Sequence, residues 1–155
     1  MKRRVPIFAT ALILGALATA AVPPRLGVGA DGSPNMTGTW TGKKSYKDWD
    51  LNGGATNAKG SCPMTLVLTQ DGASLSGTFT IQCPEDPPKP FTVDGKVGAN
   101  HFWLEGSYGG PVAEGILAPT LRLSGQCTGA SLKAAGYVLY GPDFVSEIKV
   151  SGRRP

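Results

Sequence analysis

One stretch of the chain places oxygen-bearing side chains at alternate positions. Asp48, Asp50 and Asn52 are followed by a glycine, which matches the start of a calcium-binding loop, where the glycine permits a sharp turn. Thr56 stands at the ninth position of such a loop. The twelfth position, which should hold a bidentate glutamate, is Lys59, and an ordinary Asx- and Gly-rich loop is the alternative. Calcium is therefore the only cofactor that the sequence suggests.

The groupings that catalysis requires are missing from the sequence. His101 is the only histidine, and no Gly-x-Ser-x-Gly or comparable nucleophile context accompanies it. The acidic residues Asp94, Glu105 and Glu114 are scattered, whereas glycosidase chemistry requires a facing pair. We therefore predict no catalytic residues, a surface role for His101 and a protein that is not an enzyme.

Two tryptophans are difficult to assign to a core. Trp49 lies in the Asp-rich stretch, and Trp103 alternates with apolar residues that face the other way. An exposed tryptophan can anchor a contact with a protein or a carbohydrate. We predict Trp49 and Trp103 as surface contacts, with packing over a neighbouring strand as the alternative.

The first twenty residues have the pattern of an export signal. Three basic residues precede an apolar stretch over 7–17, and Ala18-Thr19-Ala20 fits the cleavage rule of signal peptidase. The stretch is too short for a permanent membrane anchor. The sequence thus predicts a signal peptide over 1–20, a secreted or periplasmic location and no membrane anchor after cleavage.

Charge in the remaining chain is nearly balanced. Twelve Lys and Arg and eleven Asp and Glu follow residue 20, a net charge of +1. No basic run interleaves with aromatic residues, so we predict no nucleic-acid partner. The length suits one domain. We expect a flexible Pro- and Gly-rich segment over 21–36, a folded domain over 37–151 and a tail over 152–155.

Short alternating runs separated by turn residues predict an all-β fold. Its form is a single antiparallel meander barrel of about eight strands, with a β-sandwich as the alternative. The runs lie near 38–46, 64–70, 75–82, 91–97, 101–108, 112–118, 121–128, 136–140 and 144–150. Glycines recur inside these runs, and a sheet that coils into a barrel gives them a use.

The clearest hairpin turns at Gly72-Ala73. With these two residues as the loop, positions whose numbers sum to 145 are paired, so Cys62 lies opposite Cys83 at a spacing that permits a bridge. A turn at Asp71-Gly72 would weaken that pairing. Export favours one disulfide and leaves one thiol. We predict a Cys62–Cys83 disulfide and a buried free thiol at Cys127, with a bridge through Cys127 as the alternative.

Two motifs together resemble the calycin group of avidin-like and lipocalin-like barrels. Gly38-Thr39-Trp40 opens the first strand, and Gln70-Asp71-Gly72-Ala73-Ser74-Leu75-Ser76-Gly77-Thr78-Phe79 forms a hairpin. The resemblance implies that Trp40 plugs one end of the barrel and that Lys149 or Arg122 packs on its ring. The chain departs from the group in its long 47–61 loop and in lacking a recognisable set of biotin ligands.

A second resemblance is to small periplasmic metalloproteinase inhibitors of bacteria. It rests on Trp40, on the run Cys62-x-x-x-Leu66-x-Leu68 and on Cys83-Pro84. Those inhibitors are also eight-stranded barrels, and they insert an N-terminal segment into the protease cleft. The resemblance implies that the segment before Met36 could act in that way.

These patterns favour an exported, non-catalytic binding protein. One hypothesis is a carrier that holds a small apolar or amphipathic ligand inside the barrel, among Phe79, Phe102, Leu104 and Tyr108. The alternative is a protein-interaction module, such as a periplasmic protease inhibitor. The two hypotheses differ physically, because a carrier needs an unfilled volume whereas an inhibitor can be packed solid.

Overall fold

The computed structural model describes residues 33–53 and 58–155. Alternating apolar and polar side chains form eight antiparallel strands within these ranges. Successive side chains point to opposite faces of a strand, so this alternation gives each strand one core face and one solvent face. The strands are β1 Gly38–Asp50, β2 Lys59–Asp71, β3 Ser74–Ile81, β4 Lys89–Val97, β5 His101–Tyr108, β6 Thr120–Thr128, β7 Ser131–Tyr140 and β8 Phe144–Arg153. The predicted signal peptide and Thr56 lie outside the described residues.

Each strand pairs with the next along the chain, and the last strand pairs with the first. The closing pairs run from Thr41 opposite Arg153 to Asp50 opposite Phe144. Closure leaves no unpaired sheet edge. The predicted all-β meander barrel is confirmed, and the sandwich alternative is wrong.

The β2–β3 hairpin has the predicted register. Leu66 lies opposite Phe79, and Asp71 lies opposite Ser74. The loop therefore consists of Gly72 and Ala73, and Gly72 has a φ of 56°, which glycine adopts without strain. This register brings the two cysteine positions beyond the hairpin close together.

The inward faces of all eight strands meet in one apolar core. Among its largest fully buried side chains are those of Trp40, Phe79, Phe91, Leu66 and Leu104. Neighbouring strands approach closely where glycine faces inward. A Cβ at Gly77 or Gly136 would overlap a backbone carbonyl oxygen of the adjacent strand, so only glycine fits at these positions. Glycine thus permits the tight coiling that the sequence predicts.

The segment 112–118, predicted as a strand, is instead part of the connection between β5 and β6. Its prolines at both ends, Pro111 and Pro119, lack the N–H groups that a central strand donates. Val112, Ile116 and Leu117 are exposed. The predicted strand here is wrong because its apolar residues do not face the core.

The predicted 47–61 loop is also shorter than expected. β1 pairs with β2 as far as Lys47 opposite Lys59, and with β8 as far as Asp50. Two partners hold this end of β1, so the strand continues beyond its alternating apolar part. Similarly, β8 includes residues 152 and 153, which were predicted as tail.

The meander sends alternate connections to opposite ends of the barrel. We call one the sealed end; it carries residues 33–37, the turns after β2, β4 and β6, and Arg154. We call the other the open end; it carries the connections after β1, β3, β5 and β7. Within the described part of the chain, no helix is long and apolar enough to cross a membrane.

Residues 33–36, predicted to be flexible, are packed on the barrel at the sealed end. Met36 is fully buried and its backbone N–H donates to Gln70 Oε1 at 2.7 Å. Ser33 is buried as well, and its hydroxyl accepts a hydrogen bond from Gln70 Nε2 at 3.2 Å. These four residues are thus in contact with the barrel, where the Met36 side chain covers the core and the partly buried amide of Gln70 binds the backbone. Residues 21–32 of the predicted flexible segment lie outside the described residues.

Candidate functional site

The open end contains a polar cavity of about 520 Å³ that reaches into the barrel. We call it the mouth chamber. The inward faces of β1, β2, β7 and β8 and the β3–β4 connection form its wall. Its polar and aromatic lining includes Lys44, Tyr46, Asp48, Glu85, Asp86, Lys89, Tyr140, Phe144 and Ser146. The chamber differs from the rest of the interior because charged groups, rather than aliphatic side chains, face inward here.

Lys44 lies at the base of the chamber. It sits on β1 between Cys62 of β2 and Val150 of β8, and it is only 4% exposed. Its Nζ lies 4.5 Å from the centre of the Tyr46 ring. Burial lowers the pKa of Lys44, and the nearby carboxylate of Asp48 opposes this only in part. Neither of the two ion pairs between described residues involves Lys44.

Ser146 provides a second buried polar group. It lies opposite Asp48 on β1 and Val138 on β7, and it is 1% exposed. Its Oγ has no hydrogen-bond partner among the residues that the structure describes. A buried hydroxyl without a partner is unfavourable by about 1–3 kcal/mol. Ser146 thus presents an unsatisfied donor and acceptor in the chamber wall.

The opposite wall holds a paired cation. Lys89 Nζ lies 2.8 Å from Asp86 Oδ2. Burial acts to lower the pKa of Lys89, but the hydrogen bond with Asp86 and neighbouring groups outweigh it, so this pKa is raised. Burial also raises the pKa of Tyr140, which Lys89 partly opposes. The positive charge of Lys89 is therefore paired with a carboxylate, unlike that of Lys44.

The disulfide forms part of the chamber wall. Cys62 and Cys83 are bridged with their Cα atoms 4.8 Å apart, which confirms the predicted pairing. The bridge fixes the start of the β3–β4 connection to β2, close to Pro84 and Asp86. The disulfide therefore stabilises the β3–β4 connection, which forms one side of the chamber.

Trp40 lies at the sealed end, beneath residues 33–37. It is fully buried, and its Nε1 donates to the carbonyl oxygen of Met36 at 3.0 Å. The cation on its ring is Arg154, whose guanidinium carbon lies 4.9 Å from the ring centre. The prediction of Lys149 or Arg122 is wrong, because both side chains point outward from their strands.

The residues predicted to bind a ligand do not line the mouth chamber. Phe79, Phe102 and Leu104 are buried in the core with almost no free surface. Tyr108 is half-buried and packs on Phe91, with ring centres 5.8 Å apart. Phe79, Phe102 and Leu104 therefore belong to the filled core, and none of the four residues lines the open volume.

The predicted calcium ligands lie at the end of β1 rather than in a long loop. Asp50 Oδ1 accepts hydrogen bonds from the backbone N–H groups of Asn52 at 2.9 Å and Gly53 at 3.1 Å. Asp48 faces the mouth chamber. The described residues contain no group of three His, Cys, Asp or Glu side chains suited to a metal ion. Calcium binding through two carboxylates and an amide stays a prediction.

The remaining candidate side chains lie away from the chamber. Trp103 is 45% exposed on the outer face. Trp49 is half-buried under Lys47, whose Nζ lies 3.9 Å from its ring centre. His101 is exposed, with Nδ1 2.6 Å from Asn100 Oδ1 and Nε2 3.1 Å from Gln126 Nε2.

Cys127 is the free thiol predicted from the sequence. It is buried, and burial raises the pKa of its thiol. Desolvation opposes formation of the thiolate, which is the reactive form. The alternative bridge through Cys127 is excluded by the pairing of the other two cysteines.

Sequence reasoning missed Lys44, although the signal was present. Trp40, Gly42, Lys44, Tyr46 and Asp48 alternate along β1, so the parity that buries Trp40 also turns Lys44 inward. The same alternation along β8 turns Ser146 inward with Ile148 and Val150. Only the barrel geometry brings these two positions, about a hundred residues apart, to the same cavity.

These features define a closed eight-stranded meander barrel with one sealed end and one open, polar end. No protein-family model matches the chain, and a search of curated proteins finds no match. Among solved structures it is similar to isotype 1 transferrin binding protein B from serogroup B Neisseria meningitidis. The two chains are 16% identical with a TM-score of 0.44, and the match covers 79% of this chain and 27% of that one.

Proposed function

We propose that this protein is an exported, non-catalytic carrier that holds a small amphipathic ligand in the mouth chamber. One observation carries the proposal: the buried, unpartnered Ser146 Oγ faces an open volume of about 520 Å³. A bound molecule with a polar group would satisfy this hydroxyl. Tyr46, Tyr140 and Phe144 give the same chamber aromatic walls for an apolar part.

Binding is favoured over catalysis by the placement of the reactive side chains. Ser146 has no histidine beside it, since the single histidine lies on the outer face and contacts Asn100 and Gln126. Without a general base a serine hydroxyl is a weak nucleophile. Export is supported by the sequence pattern over 1–20 and by the disulfide.

Native mass spectrometry of the mature protein, recovered from its own host without denaturation, tests the carrier. We expect a bound small-molecule mass on wild type. Ser146→Leu should remove it, because the larger apolar side chain fills the chamber and deletes the hydroxyl. Ser124→Leu is the matched control at an exposed position on β6, and it should retain the mass. A bare wild-type protein, or an adduct retained in Ser146→Leu, would contradict the proposal.

A second candidate function, a protein-interaction module, is favoured by the β5–β6 connection. Ile116 and Leu117 are 62% and 68% exposed at the open end, and exposed apolar clusters mark contact sites. We would compare inhibition of metalloproteinases secreted by the same host by wild type and by the double variant Ile116→Ser, Leu117→Ser. Loss of inhibition in this variant, with inhibition retained in Ser146→Leu, would favour the module over the carrier.

A further inference from the structure

Lys44 is a buried cation without a carboxylate in ion-pair contact among the described residues. Its Nζ lies 4.5 Å from the centre of the Tyr46 ring, and the carboxylates of Asp48 and Asp86 act on its charge without ion-pair contact. A buried ammonium is strongly unfavourable unless an anion pairs with it. The Lys44 ammonium at the base of the chamber is therefore suited to pair with an anion.

We propose that the mouth chamber selects a small organic acid, whose carboxylate pairs with the Lys44 ammonium at the base of the chamber. The carbon skeleton of this acid lies between the rings of Tyr46 and Tyr140. This inference rests on the proposed carrier function, because it names the ligand class of the same chamber.

The other charges of the chamber restrict the ligand to one negative group. Lys89 is already paired with Asp86 at 2.8 Å, which leaves Lys44 as the unpaired cation of the lining. Asp48 and Glu85 also line the cavity, and their charge would repel a second anionic group. A phosphate dianion is thus a poorer match than a monocarboxylate.

The depth of Lys44 further favours a slender acid over a bulky one. Its β-strand neighbours are Cys62 and Val150, so a ligand must pass the aromatic residues near the opening before its carboxylate reaches the ammonium. Ser146 pairs with Asp48, which lies four positions nearer the opening than Lys44 along β1. Its hydroxyl would therefore meet the ligand at a second point. An oxygen at that point would satisfy its hydroxyl.

A matched pair of probes tests the acid preference. Titration calorimetry at about pH 7 would compare 4-phenylbutanoate with 4-phenylbutanol, which share one skeleton and differ in charge. We expect the acid to bind wild type at least about tenfold more tightly, the effect of one charge-assisted hydrogen bond. Lys44→Met should abolish this preference. Lys133→Met, an exposed lysine on β7, should leave it intact.

The outcomes separate this inference from the carrier function. Equal binding of both probes to wild type, or an acid preference retained in Lys44→Met, overturns the acid selection and leaves the carrier standing. Binding of neither probe by a wild-type protein that carries a native ligand mass also overturns only the acid selection. Binding of neither probe together with a bare native mass overturns both. Lys44→Gln, which removes the charge but keeps a polar end, provides a second variant if Lys44→Met does not fold, and it should lose the acid preference as well.

Discussion

Arg154 covers the face of Trp40, with 4.9 Å between the guanidinium carbon and the ring centre. Arg154 also donates from one nitrogen to the carbonyl oxygens of Asn35 at 2.9 Å and Thr37 at 2.8 Å. The residue after β8 thus fastens the segment before β1. One side chain joins the two ends of the described barrel.

Removing this contact should loosen the sealed end. We expect Arg154→Ala to lower the free energy of unfolding by about 2 kcal/mol, since it deletes a cation–π contact and two charge-assisted hydrogen bonds. Urea unfolding followed by circular dichroism measures the change. Arg153→Ala, at the exposed neighbouring position, is the control and should change little. Equal effects of the two substitutions would contradict the fastening role of Arg154.

The disulfide should stabilise the barrel chiefly by restricting the unfolded chain. It joins residues 21 positions apart, for which the chain-entropy estimate is roughly 3 kcal/mol. The double variant Cys62→Ala, Cys83→Ala should therefore unfold at a lower urea concentration than wild type. Peptide mapping without reduction should recover the Cys62–Cys83 linkage, and a linkage through Cys127 would show the assignment to be wrong.

Lys44 should make stability depend on pH. Its folded pKa lies below the usual 10.5, so between these two values the unfolded chain binds more protons and the stability contribution of Lys44 rises with pH. Lys44→Met removes a buried charge and should stabilise the protein by about 1 kcal/mol at neutral pH. This advantage over wild type should shrink as the pH rises towards 10.5.

Urea unfolding of both proteins at about pH 7 and about pH 9.5 measures the difference. The other charged and titratable groups of the chamber, Asp48, Glu85, Asp86, Lys89, Tyr46 and Tyr140, are common to both proteins, so comparison of the two largely removes their effect. Lys43→Met, an exposed neighbour, is the control. An advantage of Lys44→Met that stays constant or grows with pH would refute the stated sign.

The calcium prediction has a direct thermal test. A chelator should lower the melting temperature of wild type, and Asp50→Asn should remove that response. Asparagine keeps the oxygen that accepts the backbone N–H groups of Asn52 and Gly53, so the turn persists while the charge is lost. A wild-type melting curve that the chelator leaves unmoved would end the prediction.

The thiol of Cys127 should be inert in the folded protein. Burial excludes reagents and raises the thiol pKa, so reaction with a thiol-specific disulfide reagent should be slow in buffer and rapid in denaturant. The absorbance of the released reagent group measures both rates. Rapid reaction of one thiol per folded chain would contradict this expectation.

The sequence predicts the hairpin and its disulfide because both follow from local alternation and one turn. The sum rule around Gly72 and Ala73 holds for the β2–β3 pairs. The 112–118 segment fails because apolar content alone does not show whether a segment has a core to face. The prediction of the cation on Trp40 was wrong for a different reason. Arg154 follows the last strand, where strand alternation no longer specifies the direction of a side chain.

The chamber itself was harder to predict, because it depends on closure of the barrel. β1 and β8 bring Asp48 opposite Ser146, a pairing that no local pattern indicates. Parity alone places Lys44 inward, but a barrel that is filled along its whole length would give the same parity. The open volume arises where β7, β8 and the β3–β4 connection leave polar side chains around it.

The sealed end has a practical consequence for experiments. Residues 33–37 and Arg154 lie together there, on the side opposite the mouth chamber. A linker attached before residue 33 or after residue 155 would therefore hold the barrel with its cavity facing the bulk solution. Oriented capture on a biosensor chip through either terminus should leave the cavity accessible to analytes, without redesign of the protein.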